Sequence, residues 1–187
     1  MRIEPQAIPG VIALTPKRHG DARGYFAETF RRDVFATQCP GYDFVQDNQS
    51  LSAEPGTLRG LHFQTDPFAQ AKLISVLAGA ILDVAVDIRR GSPTYGRHVA
   101  LRLDAATGTQ LLIPAGFAHG FCTLEPATLV TYKVSAHYSA ANDRGLAFDD
   151  PTLAIAWPVA ADKAILSAKD RTHPRLAGLP VYFTYSP

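Results

Sequence analysis

The chain has 187 residues, of which 47% are hydrophobic and 19% charged, and its formal net charge is +1 at pH 7. This length suits one domain with a substantial core, which we expect to span residues 1–187, and the composition excludes a disordered chain. The near-neutral charge excludes nucleic-acid or membrane-surface binding driven by bulk electrostatics, so any anion must be held by locally placed Arg and Lys side chains.

We expect neither a secretory leader nor a membrane span in this sequence. Residues 1–10 lack an apolar core of the kind that a signal peptide needs, and no run approaches about 18 apolar residues. Cys39 and Cys122 are the two cysteines. Cys122 lies in an apolar run and is predicted to be a buried free thiol, which favours a cytoplasmic protein, although two cysteines alone leave a disulfide open.

Many short strands separated by Gly and Pro turns predict an all-β sandwich or barrel. The clearest strand is 81–88, where Leu82, Val84 and Val86 alternate with a more polar set. Further strands are predicted at residues 25–30, 44–51, 72–77, 98–103, 110–113 and 129–135. Short helices are predicted at 32–38 and near 139–143. The chain from Asp150 is irregular, so we expect it to wrap the barrel, with a peripheral tail from about residue 171.

The stretch 57–64 places polar groups on a rigid apolar strand. Its core residues are predicted to be Leu58, Leu61 and Phe63, and its polar residues are Arg59, His62 and Gln64. A histidine with a pKa of roughly 6.5 suits base chemistry near neutral pH, and the arginine fork suits phosphate or carboxylate. Taken alone, the stretch is better explained by one core histidine beside one surface arginine.

The segment Gly108-x5-Pro114-x-Gly116-x2-His119 resembles the second signature of the cupin superfamily, in which a Pro-Gly turn aims a histidine into a barrel. The first cupin signature requires His-x-His followed by Glu, and here it reads His62-Phe63-Gln64 with no Glu before Gly79. Two histidines and a glutamine are a poor donor set for a divalent metal. We therefore expect a cupin-type jelly-roll barrel without a metal.

A longer series of motifs runs in one order from about residue 8 to residue 170. It comprises Asp21-x-Arg23-Gly24-x-Phe26-x-Glu28, Gln46-Asp47-Asn48, Leu58-Arg59-Gly60-Leu61-His62-Phe63-Gln64, Ala71-Lys72-Leu73, Asp83-Val84-Ala85-Val86-Asp87, Ile113-Pro114-x-Gly116-Phe117-Ala118-His119, Tyr132-Lys133, Tyr138 and Leu166-Ser167-x-Lys169-Asp170. Together they resemble the dTDP-4-dehydrorhamnose 3,5-epimerases, a family of metal-free cupin epimerases. Asp143 stands where that family usually has Glu.

The resemblance implies an enzyme that inverts C3 and C5 of dTDP-4-dehydro-6-deoxy-D-glucose through an enolate. It makes His62 the base and Asp170 the carboxylate that orients it. Lys72 stabilises the enolate oxygen, and Tyr132 returns the proton on the opposite face. No hydride is moved, which agrees with the absence of a dinucleotide fingerprint and implies no cofactor.

The resemblance also implies a nucleotide site and a homodimer that exchanges N-terminal strands, so that residues 21–30 complete the neighbour's site. The implied substrate-binding residues are Arg23, Phe26, Glu28, Gln46, Asp47, Asn48, Arg59, Lys72, His119, Tyr138, Asp143 and Lys169. Three alternatives stay open: an epimerase acting at C3 alone or C5 alone, a metal-dependent cupin, and a non-catalytic sugar- or nucleotide-binding barrel.

Overall fold

The computed structural model describes residues 1–186, and most of its regular structure is β-strand. The strands are β1 (Arg2–Pro5), β2 (Ile12–Thr15), β3 (Arg18–Asp21), β4 (Gly24–Ala27), β5 (Gln46–Ser52), β6 (Leu58–Gln64), β7 (Lys72–Ala78), β8 (Ala80–Asp87), β9 (Arg89–Arg90), β10 (His98–Asp104), β11 (Gln110–Ile113), β12 (Phe117–Thr123), β13 (Thr128–Val134), β14 (Asp143–Gly145) and β15 (Phe183–Thr184). The helices are α1 (Arg32–Gln38) and a 3-10 turn (Leu176–Gly178).

Two antiparallel sheets face each other and form the barrel. One has the order β1-β2-β11-β7-β13-β5 and the other the order β10-β8-β12-β6-β14. Ile74 and Val130 of the six-stranded sheet pack with Ile81 and Phe121 of the five-stranded sheet in one buried cluster. The predicted all-β, cupin-type jelly roll with short peripheral helices is confirmed.

Both sheets also bury apolar side chains on their outer faces. On the five-stranded sheet, Leu61 packs with Leu153 and Leu179 from the C-terminal part of the chain. On the six-stranded sheet, Leu73 packs beneath Phe35 of α1. Central strands such as β8 are therefore buried on both faces, which explains the nearly continuous apolar sequence of β8.

The chain after Asp150 wraps the outer face of the five-stranded sheet, as the sequence predicted. Its path is not wholly irregular, because it contains the 3-10 turn and the short strand β15. β15 pairs in parallel with β9, with Phe183 opposite Arg89.

One predicted helix is wrong, and one predicted strand is too long. Residues 139–143 form a turn that leads into β14 rather than a helix. Ser139 Oγ donates to Asn142 Oδ1, so a local side-chain bond competes with helix formation, and β14 then pairs with β6. The strand predicted at 25–30 ends at Ala27. Phe30 packs instead against Phe35 and the neighbouring aromatic rings at α1.

A bulge at Gly60 decides which side chains of β6 face the barrel interior. The pairing of β6 with β12 shifts register between His119 and Phe121. Gly60 has a φ of +135°, and a Cβ there would lie 2.5 Å from the Cα of Gly120, so this position requires glycine. The extra residue shifts the alternation of inward- and outward-facing side chains by one position. Arg59 and His62 therefore border the same interior cavity, although they are three positions apart.

The prediction that Cys122 is a buried free thiol is confirmed. Cys39 and Cys122 are both buried and free. Neither helix in residues 1–186 has the length and the apolar character that crossing a bilayer requires.

Candidate active site

Two histidines lie side by side in the barrel interior. His62 on β6 is the register partner of His119 on β12, and both border one cavity. The turn before β12 has Gly116 with a φ of +86°, and β12 begins at Phe117. After this Pro-Gly turn, His119 is buried and lies in the cavity wall.

His62 is paired with a buried carboxylate. Its Nε2 lies 2.5 Å from Asp170 Oδ1, and Ser167 Oγ donates to Asp170 Oδ2 at 2.9 Å. Burial acts to raise the pKa of Asp170, but the neighbouring imidazoles of His173 and His62 and the hydroxyl of Ser167 lower it, so the carboxylate is charged. A charged carboxylate accepts the hydrogen from Nε2 and leaves the lone pair on Nδ1 of His62.

His62 is neutral at neutral pH. Burial is the largest influence and lowers its pKa below the ordinary 6.5, while the bond to Asp170 acts in the opposite direction. The positive charges of Lys72 and Lys169 lower this pKa further. A neutral imidazole with one nitrogen held by a carboxylate is in the form that a general base requires.

Lys72 is a buried cation next to this pair. Lys72 is the first residue of β7 and is 8% exposed. Its Nζ donates to the backbone carbonyl of His62 at 3.2 Å. Burial lowers the pKa of Lys72 to about 8, and the carboxylates of Asp143 and Asp83 partly oppose this shift. An ammonium carries three hydrogens, so Lys72 can still donate to an anion in the cavity.

Tyr132 comes from the opposite wall. It lies on β13 of the six-stranded sheet, packs against the core between the sheets and borders the cavity that His62 lines. Burial raises the pKa of its phenol above the ordinary value of 10, so Tyr132 keeps its proton at neutral pH. The cavity therefore has a neutral imidazole on one wall and a protonated phenol on the other.

Two adjoining cavities, of about 300 and 230 Å³, meet at this site. Both are lined by His62, Lys72 and Tyr132. The larger one also contains the predicted residues Gln46, Asn48, Tyr138, Asp143 and Lys169. The smaller one contains Arg59, His119 and Asp170. Eleven of the fifteen residues that the sequence singled out thus come together in one place.

Cations and an exposed ring lie toward the opening. Arg59 donates through Nε to Ser52 Oγ at 3.2 Å, which fixes the guanidinium at the cavity wall. Lys169 forms an ion pair with Asp143, and the Tyr138 hydroxyl donates to the same carboxylate at 3.3 Å. Tyr138 is 61% exposed, so its ring is accessible from solvent.

Four predicted residues lie elsewhere in this chain. Arg23, Phe26 and Glu28 are exposed on or beside the β3–β4 hairpin, where Arg23 pairs with Asp21 rather than with a site residue. Asp47 lies on the outer face of β5 and accepts from Lys133 Nζ at 2.9 Å. Asp47 also borders a separate cavity of about 250 Å³ on that outer face.

Sequence reasoning assigned no role to Asp83, although its side chain is fully buried in the interior. Asp83 Oδ1 lies 2.7 Å from His119 Nε2, so both interior histidines are held by carboxylates. A signal was available: a charged residue inside an otherwise apolar strand is rarely buried without a partner. Ser167 was also given no role.

The known proteins that resemble this chain agree on one family. A family model described as dTDP-4-dehydrorhamnose 3,5-epimerase matches residues 5–178. The chain belongs to this family. A dTDP-4-dehydrorhamnose 3,5-epimerase of Sinorhizobium fredii is 51% identical over 99% of this chain and 94% of its own length.

Two solved structures of the epimerase family are similar over nearly their whole length. The dTDP-6-deoxy-D-glucose-3,5-epimerase of Legionella pneumophila, in complex with dTDP-4-keto-L-rhamnose, has a TM-score of 0.94 and 38% identity. It covers 100% of this chain and 99% of its own. The enzyme of Bacillus anthracis, with TDP and PPi bound, has a TM-score of 0.89 and 49% identity, covering 93% and 98%.

The residues at the usual cupin metal position do not fit a metal. Only two histidines lie there, and since His62 and His119 each use Nε2 for a carboxylate, each ring has one nitrogen left for a metal. The amide of Gln64 donates to two backbone carbonyls and accepts from a backbone N–H. His62, Asp170 and His173 also place donor atoms within 4.8 Å of one another. However, the 2.5 Å separation of His62 from Asp170 is shorter than the roughly 3.3 Å between two ligands of a tetrahedral zinc ion.

Epimerisation by this family member is therefore expected to need no metal. Protein treated with a chelator, and shown by metal analysis to be stripped, should convert substrate at an unchanged rate. Activity that disappears with the chelator and returns with one divalent ion would contradict this expectation.

Arg59→Ala is expected to weaken dTDP binding, because the guanidinium lies at the cavity wall and matches phosphate oxygens. Loss of a charge-assisted contact costs roughly 1.5–3 kcal/mol, which corresponds to about a 10- to 150-fold rise in Kd. Isothermal titration with dTDP measures this change. Arg102→Ala is the matched control, because Arg102 pairs with Asp104 and Glu125 on an exposed surface. Equal affinity in Arg59→Ala and wild type would refute the assignment.

Proposed function

We propose that this chain inverts C3 and C5 of dTDP-4-dehydro-6-deoxy-D-glucose to give dTDP-4-dehydro-L-rhamnose. The observation that carries the proposal is the convergence of His62, Asp170, Lys72 and Tyr132 on one cavity of an epimerase-family barrel. A hydrogen next to the C4 ketone leaves as a proton because the resulting carbanion delocalises into an enolate. Inversion requires a base on one side of the sugar ring and an acid on the other.

His62 supplies the base. Its Nδ1 takes the proton from carbon, and the C–H electron pair moves into the enolate. The imidazolium that forms is stabilised by Asp170, which already holds Nε2 at 2.5 Å. Lys72 places a buried positive charge beside the developing oxyanion at C4.

Tyr132 supplies the acid. Its phenol gives a proton to the carbon from the opposite wall, and the electron pair of the enolate forms the new C–H bond. Because burial raises the pKa of Tyr132, the phenol is protonated before each turnover at neutral pH. The reaction moves only protons, so it requires no hydride carrier.

The polar groups around the opening bind the rest of the substrate. Arg59 and Lys169 hold the diphosphate, and the exposed Tyr138 ring provides a stacking surface for thymine. The base and the sugars form hydrogen bonds with Gln46, Asn48, Asp143 and His119.

We further propose that a homodimer completes this site. The β3–β4 hairpin carries Arg23 and Phe26 away from its own cavity, and Phe26 is 68% exposed. A neighbouring copy that receives this hairpin would gain a guanidinium for the diphosphate and an aromatic ring for thymine. Analytical ultracentrifugation of wild type and of Phe26→Asp tests this arrangement, and a monomeric wild type with full activity would refute it.

Product analysis tests the reaction. Purified protein incubated with the ketosugar nucleotide should yield a product inverted at both C3 and C5, read by proton NMR. Inversion at one carbon alone would make the chain a monoepimerase, and binding without inversion would make it a non-catalytic barrel. Free buried thiols at Cys39 and Cys122 support our proposal that the reaction takes place in the cytoplasm.

A further inference from the structure

A third histidine, His173, lies against the pair formed by His62 and Asp170. His173 follows Asp170 by three residues, and its ring is nearly perpendicular to that of His62, with centroids 5.5 Å apart. Its Nε2 lies 3.6 Å from Asp170 Oδ1, the same oxygen that contacts His62. The His173 side chain is 9% exposed, and Nε2 is buried without a hydrogen-bond partner among the described residues.

The chain is built to hold this ring in place. Gly145 on β14 is opposite His62, and a Cβ at position 145 would overlap the His173 ring, so the missing side chain opens a slot for it. In the next residue along the chain, the carbonyl of Pro174 accepts a hydrogen bond from Ala147 N at 2.8 Å. Leu176 N donates to Asp150 Oδ2 at 2.7 Å. The tail is therefore fixed just after His173.

A purely apolar packing role does not account for the nitrogen. The slot beside Gly145 would accept a phenylalanine ring, which has no polar atom to leave unpaired in the interior. The one charged group within reach of His173 Nε2 in the described contacts is Asp170. Burial acts to raise the pKa of Asp170, and His173 is the largest of the influences that lower it, ahead of His62 and Ser167.

We propose that His173 is a positioning residue whose Nε2–H acts on Asp170 Oδ1 from 3.6 Å, as a second donor that is longer and weaker than His62, and holds that carboxylate against the His62 ring. This inference rests on the proposed function, because it assigns His62 as the base. The carboxylate is then shared between two imidazoles, which limits how strongly it stabilises the His62 imidazolium.

The consequence is a less basic His62. The other charged and titratable groups around the pair are Lys72, Lys169, Arg59, Tyr132, Asp143, and His119 with its partner Asp83. All of them stay in place when His173 is replaced. Removing the second donor leaves Asp170 to His62 alone, so the pKa of His62 should rise and the acid side of the pH profile should move upward.

Two variants separate donation from packing. His173→Phe fills the slot without a donor, whereas His173→Gln keeps an N–H. In His173→Phe, the acid limb of kcat should move up by about half a pH unit or more, lowering the rate about threefold on that limb, with KM unchanged. His173→Gln should stay near wild type. An unmoved limb in His173→Phe, or an equal shift in both variants, would overturn the proposal.

Nitrogen-15 NMR of the wild-type imidazoles gives a readout that needs neither variant nor turnover. The proposal requires a protonated Nε2 on His173 at neutral pH, and an unprotonated Nε2 would overturn it even if the variants fail to fold. An inactive wild type with a protonated His173 Nε2 would instead contradict the proposed reaction, so the two failures are distinguishable.

Discussion

His62→Asn is expected to abolish both inversion and proton exchange. Asparagine keeps a polar side chain of similar reach in the interior but has no basic nitrogen, so no enolate forms. Loss of a general base typically costs about 10²- to 10⁴-fold in rate, and here it precedes every later step. The measurement is kcat with the ketosugar nucleotide.

The matched control is His98→Asn. His98 begins β10, at the opposite edge of the five-stranded sheet from β14, and borders neither cavity of the site. This variant should retain wild-type activity. If His62→Asn epimerises at a rate close to wild type while folding normally, another group is the base.

Replacing Lys72 should produce the second-largest loss. Lys72→Gln removes the buried charge that we propose lies beside the enolate oxygen, and the loss of one such oxyanion contact costs about 10²- to 10³-fold in kcat. Lys72→Arg keeps a positive charge in the same place and should retain more activity than Lys72→Gln.

The dependence of the rate on pH should also reflect Lys72. The proposed mechanism requires neutral His62, whose pKa is lowered below 6.5, so the rate should rise with pH through a midpoint below that value. The same mechanism requires protonated Lys72, whose pKa is about 8, so the rate should fall as pH rises through that value. In Lys72→Arg the alkaline limb should move to higher pH, because guanidinium stays charged. An unchanged alkaline limb would mean that Lys72 does not set it.

Local sequence patterns predicted eight of the fifteen strands, because each of these alternates or lies between turn residues, and did not predict β1, β2, β3, β9, β12, β14 or β15. The helix at 32–38 and the strand at 110–113 have the predicted bounds. The same alternation could have removed Asp47 from the site. Gln46, Asp47 and Asn48 are consecutive on one strand, so they cannot all face one cavity.

Other features depend on distant parts of the chain. His62 and Asp170 are 108 positions apart, and no local pattern in either segment predicts that they meet. Only the family resemblance suggested the pair. The bulge at Gly60 depends on its close approach to Gly120 on the neighbouring strand, and the slot for His173 depends on Gly145.

The central claim is that His62 and Tyr132 act on opposite faces of the sugar, and proton exchange in heavy water tests it most directly. Tyr132→Phe keeps the ring on β13 but deletes the proton donor, so His62 can still form the enolate and return a proton to the face it came from. NMR of recovered substrate should show deuterium at C3 or C5 with little inverted product, whereas His62→Asn should show neither. Inversion by Tyr132→Phe at a rate close to wild type, or exchange at both carbons in His62→Asn, would contradict the account.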